Sequence, residues 1–121
     1  INMEKKFVLV ITYSTDAPLR AISALTVANA LLAQGSDLVV FLLNQGVLLG
    51  KRGAVDFLEA PPFPPARELL AGLIKEGVKF YLCGNCTQIF KVRPEELIEG
   101  AEIAGAATLA SLMAEREPVS F

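Results

Sequence analysis

The chain has 121 residues, of which 53% are hydrophobic and 20% charged, with a formal net charge of −2; it is long enough to bury a core without disulfide staples and too apolar for a disordered segment. Its scattered basic residues exclude the long-range field that gathers nucleic acid, and its longest apolar runs, such as LVVFLL at 38–43, fall far short of the roughly 20 residues that span a bilayer. It contains no histidine, which removes Ser-His and Cys-His catalysis, histidine-ligated metals and haem attachment through C-x-x-C-H together.

So high an apolar share needs a large buried surface, inside the fold or between subunits, and a homo-oligomer is expected. The opening INMEKKF places charge where a secretory signal needs an apolar stretch. The expectation is a cytoplasmic protein with reduced thiols, with Met3 as the natural start and Ile1 and Asn2 foreign to it.

Residues 6–13, KFVLVITY, are an apolar run rich in β-branched residues, suited to a strand buried on both faces. A four-turn helix follows: Asp16 is placed to cap it, Pro18 suits its first turn, and Ile22, Leu25, Ala28 and Leu32 recur at helical spacing up to Gly35. DLVVFLLN, 37–44, reads as a second strand, and strand, helix and strand within about 40 residues fit a right-handed parallel unit. The segment QGVLLGKRGAVDFLEAPPFPP is too long for a plain connector and is expected to be functional or interfacial. ARELLAGLIKEG puts Leu69, Leu70, Leu73 and Ile74 on one face of a second helix that ends at Gly77. VKFYLC, 78–83, is a third strand, and RPEELIEG carries the Pro94 and glutamates of a third helix start. AEIAG, AATLASLMAE and PVSF close the chain as strand, helix and strand. The order predicts one α/β domain over 1–121, a three-layer α/β/α sandwich on a mostly parallel five-stranded sheet of flavodoxin-like or Rossmann-like type.

Ligands and chemistry in such sheets sit at the carboxyl ends of the strands, which singles out the loops at 13–17, 44–54 and 83–93. Cys83 and Cys86, the only cysteines, lie in FYLCGNCTQI at the third of these. Gly84 and Asn85 permit positive φ and can turn backbone N–H groups inward; a following helix N-terminus, and Lys91 and Arg93 if the chain folds back, would favour a thiolate. Cys83 is therefore the candidate nucleophile; burial of a small apolar side chain at a strand end is the competing account. Cys86 is a candidate resolving thiol, although thioredoxin-like folds carry their pair early in the chain. Two cysteines without histidine supply half of a structural zinc site, so no metal is expected. GVLLGKRG departs from a phosphate loop in spacing, and Arg52 stands where a magnesium-binding hydroxyl belongs. Gly46 and Lys51 can still line the site, while Val47, Leu48 and Leu49 suit a subunit contact or the site rim, or fold back on their own sheet. TYSTDAP offers Ser14 at the end of the first strand but no glycine for close approach of a flavin phosphate, and no cofactor is expected.

Together, the strand and helix order, LTVANALLAQG, VVFLLNQGV, GVKFYLCGNC and ELIEGAEIAG resemble the DsrE/DsrF-like family of small sulfur-handling proteins, over Lys6 to Phe121. The resemblance implies an α/β protein assembled as a homotrimer or hexamer, or within a heteromeric complex. It also implies a persulfide carried on a strand-end cysteine, which matches Cys83, and passed from a donor to an acceptor protein. In that scheme Gly84, Asn85 and Thr87 would offer donors to the sulfur anion. The second cysteine departs from the single cysteine of relay members, so the role of Cys86 does not carry over. A non-catalytic assembly protein with packed cysteines and a small-ligand or flavin-binding module are the alternatives.

Overall fold

A computed structural model describes residues 4–121; Met3 and the two residues before it lie outside the described residues. Five strands, β1 (Lys6–Ile11), β2 (Asp37–Leu42), β3 (Lys79–Cys83), β4 (Ala101–Ala104) and β5 (Glu117–Ser120), alternate with helices α1 (Pro18–Ala33), α2 (Ala66–Lys75), α3 (Gly84–Phe90) and α4 (Ala106–Glu115). The sheet order is β4-β3-β2-β1-β5 and every strand pair is parallel. The α/β sandwich expected from the sequence is the fold of the protein.

The two faces of the sheet differ because right-handed crossovers fix where each helix goes. Successive steps from β1 to β4 run in one direction and keep α1 and α2 on one face. There Leu9, Ile11, Val40, Leu42, Phe80 and Leu82 pack against Ile22, Leu25, Leu69 and Leu73. Each fully buried side chain of this size contributes about 1.5–3 kcal/mol. Asn29 ties the two helices by donating its amide to the carbonyls of Leu25 and Leu69. The return from β4 to β5 passes beyond β1 and lays α4 on the opposite face, over the smaller cluster of Val8, Val10 and Phe41. None of the residues of α4 is buried.

Three local expectations change. Asp16 does not cap α1, which starts from Ala17 without a side-chain cap; its carboxylate instead accepts the Ser14 N–H in the turn before it. The apolar loop residues after β2 face inward: Asn44–Gly50 forms a 3-10 helix, and Val47, Leu49, Val55 and Leu58 join the main core. They fold back on their own sheet. RPEELIEG supplies only a 3-10 turn at Pro94–Glu96, whereas α3 begins directly after Cys83. Among the described residues, no helix is long and apolar enough to cross a membrane.

Candidate functional site

In β3 the residues Phe80 and Leu82 point into the main core, and the strand delivers Cys83 to the carboxyl edge. Cys83 pairs in register with Ala104 of β4 and at the same time sits just before the first residue of α3. It is half-buried, touches side chains of both cores, and forms no disulfide. Its position is the one where open parallel sheets place their chemistry.

Cys86 lies three residues further on, in the first turn of α3, whose N-cap is Cys83. It is 8% exposed and packs in the main core. Its Sγ accepts the backbone N–H of Asn44 at 3.2 Å and directs its own S–H toward Asn44 Oδ1 at 3.9 Å. Burial pushes the Cys86 thiol above its ordinary pKa, hydrogen bonding with Cys83 adds to the rise, and the Asn44 N–H opposes it. The two cysteines thus sit in different surroundings, Cys83 half-buried at the strand end and Cys86 buried in the main core. Cys86 is the buried member of the pair, and its burial favours the protonated thiol.

Asn44 reaches this contact from β2 through a left-handed backbone, φ 55°, a conformation for which Asn is enriched among non-glycine residues. The surrounding chain holds it there. Leu43 N–H donates to Ile11 O, Gly46 N–H to Leu43 O, and the fully buried Ser14 hydroxyl to Gln45 O. Gly46 lies so close to β1 that a Cβ would come within 2.0 Å of the Ile11 carbonyl oxygen. In sequence Asn44 reads as the last residue of a strand; a polar Asn ending an apolar run just before Gln-Gly is the available signal.

Residues 5–119 match the model of the DsrE/DsrF-like family. The chain belongs to this family. It is 34% identical over 116 residues to uncharacterized protein MJ0989 of Methanocaldococcus jannaschii, covering 94% of this chain and 96% of that one. It is 33% identical over 102 residues to uncharacterized protein MK0008 of Methanopyrus kandleri, covering 84% and 81%. The crystal structure of the ychN protein from E. coli superimposes with a TM-score of 0.76 at 25% identity, over 98% of this chain and all of that one. Protein MTH1491 from Methanobacterium thermoautotrophicum shares the fold, with a TM-score of 0.71 at 15% identity over 98% of this chain and all of that one.

The remaining candidates in this DsrE/DsrF-like chain divide clearly. Gly84 and Asn85 do not adopt positive φ; they open α3 in the ordinary helical conformation, with Gly84 close against Ile103 of β4. Thr87, 3% exposed, donates its hydroxyl to Gly84 O and so has no free donor to offer a sulfur anion. Ser14 and Gly46 brace the turn that carries Asn44. Lys51 is drawn to Glu96 at 3.7 Å and lines a separate hollow with Arg67, Leu70 and Ile74. Lys91 and Arg93 follow the far end of α3, about 10 Å along its axis from Cys83. Another hollow, of about 520 Å³, opens beside the loop after β1, where Arg20 stacks over Tyr13 at 4.9 Å.

Proposed function

We propose that the protein handles sulfane sulfur, carrying it as a persulfide on Cys83. The observation that supports this reading is the placement of a half-buried, unbridged cysteine at the carboxyl end of β3, within a DsrE/DsrF-like chain. The Cys83 thiolate attacks the outer sulfur of a donor persulfide; the donor's S–S bond breaks, its thiolate leaves, and a Cys83 persulfide forms. An acceptor thiolate then attacks the outer sulfur of Cys83 and regenerates the Cys83 thiolate. Thiol exchange of this kind needs a nucleophile and a docking surface, with no acid-base histidine. A compartment that keeps thiols reduced, the cytoplasm, suits it.

The donor and acceptor are proteins that reach the carboxyl edge, where Ile89 on α3 is 71% exposed. Self-association is part of the proposal and is supported by α4, which covers its sheet face with Leu109 and Leu112 while Ala106, Ala107, Ala110, Met113 and Ala114 stay exposed. A trimer or hexamer is the expected assembly, and native mass spectrometry measures it.

The test of sulfur carriage is the intact mass after incubation with a persulfide donor. A gain of about 32 Da, one sulfur atom on a thiol, is expected in Cys86→Ser and lost in Cys83→Ser. An adduct that survives Cys83→Ser, or none in Cys86→Ser, rejects the reading.

A further inference from the structure

Resting on the reading that Cys83 carries a persulfide, we infer that Asn44 positions Cys86 as a resolving thiol, giving the bound sulfur a second exit as inorganic sulfide. Cys86 follows Cys83 by three residues in the first turn of α3 and is held by Asn44, whose N–H meets the sulfur and whose Oδ1 faces the S–H. A strained left-handed residue, braced by Ser14 and Gly46, does this holding. Strain maintained by the surrounding structure points to a role at a site.

In the step itself, Cys86 Sγ attacks Cys83 Sγ, the inner sulfur of the persulfide. The bond between Cys83 Sγ and the outer sulfur breaks, a Cys83–Cys86 disulfide forms, and the outer sulfur leaves as hydrosulfide, taking the Cys86 proton. The persulfide anion and one thiol give one disulfide and one hydrosulfide, so charge and atoms balance. The sulfane sulfur is reduced to sulfide and the two cysteine sulfurs are oxidised. A reducing dithiol is the co-reactant that reopens the pair for another cycle. Cys83 is the N-cap of α3 and Cys86 its third residue, and disulfides join Cβ atoms about 3.5–4.5 Å apart, so closure draws the two side chains together across the first turn of the helix. Asn44 N–H favours the sulfur as it gives up its proton, and Oδ1 keeps it aimed until then.

The experiment loads the reduced protein with inorganic polysulfide, removes the excess, and follows released sulfide and intact mass over time. The wild type is expected to release sulfide while its adduct of about 32 Da gives way to a species about 2 Da lighter than the reduced chain. Cys86→Ser is expected to keep the adduct and release no sulfide. Asn44→Gly keeps the backbone N–H and tolerates the left-handed φ but loses Oδ1; it is expected to load Cys83 at the wild-type rate yet release sulfide about fivefold more slowly, the weight of one ordinary hydrogen bond. A purely structural Asn44 would change loading and release together. Sulfide release by Cys86→Ser at the wild-type rate, or equal loading and release in Asn44→Gly and wild type, overturns the inference and leaves the Cys83 persulfide standing. Failure of Cys86→Ser to gain the adduct at all rejects the persulfide reading itself.

Discussion

Asn44 and Cys86, 42 positions apart in the chain, meet at 3.2 Å through a backbone N–H on sulfur, at the point where β2 ends and α3 begins its first turn. The contact couples a backbone conformation to the state of a thiol. It exists because Asn44 is left-handed, and it gives one cysteine of the pair an environment that the other lacks.

The conformational half of this coupling is measurable as stability. Alanine pays about 1–2 kcal/mol to sit in the left-handed region, whereas glycine pays almost nothing. Asn44→Ala is therefore expected to unfold at lower urea concentration than Asn44→Gly, by roughly 1 kcal/mol in extrapolated stability. Equal midpoints for the two variants would show that the turn relaxes to another conformation and that φ at Asn44 is not enforced.

The chemical half is measurable against pH. Burial raises the Cys86 thiol above its ordinary value, so the folded chain holds that proton more tightly than the unfolded chain. Below about pH 8.5, the usual thiol value, both states are protonated and the group adds no pH dependence. Above it the unfolded chain ionises first and binds fewer protons, so stability falls as pH rises through the folded-state pKa. Denaturation at pH 7, 9 and 10 should show the wild type losing stability relative to Cys86→Ala at the two higher values. A constant difference across the three would mean that burial does not hold the Cys86 proton.

Gly46 carries the support of the whole turn. A methyl group there would meet the Ile11 carbonyl oxygen at 2.0 Å and the Ile11 carbonyl carbon at 2.8 Å, both backbone atoms of an interior strand that cannot yield as a side chain would. Gly46→Ala is expected to destabilise the fold by about 3 kcal/mol or more, in the upper range for overpacking. Because the turn must lift away from β1, Cys86 should also lose its shield. Iodoacetamide should then label Cys86 faster than in the wild type under native conditions, which peptide mapping by mass spectrometry would detect.

These predictions turn on contacts that the sequence shows unevenly. The strands KFVLVI and DLVVFL announce themselves by unbroken apolar runs, and α1 and α2 by helical spacing that stops at Gly35 and Gly77. The position of Cys83 at a strand end follows from the same patterning. GNCTQIF was not legible as a helix because seven residues hold no full apolar period, and the proline and glutamates after it gave a stronger helix-start signal that yields only a 3-10 turn. Val47 and Leu49 look alike in sequence whether they face their own core or a neighbour, and only the folded loop decides. Asn44 is not legible because its φ comes from the packing of Gly46 on Ile11, between residues distant in the chain, and leaves no local pattern.

The opposite edge of the sheet offers a control that separates fold from site. Arg116, just before β5, donates to the carbonyls of Phe7 and Asp37 and pairs with the Asp37 carboxylate at 2.9 Å, its side chain only 14% exposed. One guanidinium thus joins the amino ends of β1, β2 and β5. Removing it leaves one carboxylate unpaired and two carbonyl contacts unmade, which should cost about 1.5–3 kcal/mol, the range for hydrogen bonds to charged groups. All three contacts run through one nitrogen, Nη1, so Arg116→Lys, which keeps a charged nitrogen on a differently shaped side chain, should recover part of that loss. Because β1 carries these contacts at its amino end and the Asn44 turn rests on its carboxyl end, the folded Arg116→Ala chain should gain its persulfide on Cys83 at the wild-type rate. Urea denaturation gives the first quantity and intact-mass loading well below the unfolding transition gives the second. A large fall in loading with the fold intact would show that the two edges communicate through β1, and that the geometry at Cys83 depends on more than the turn beside it.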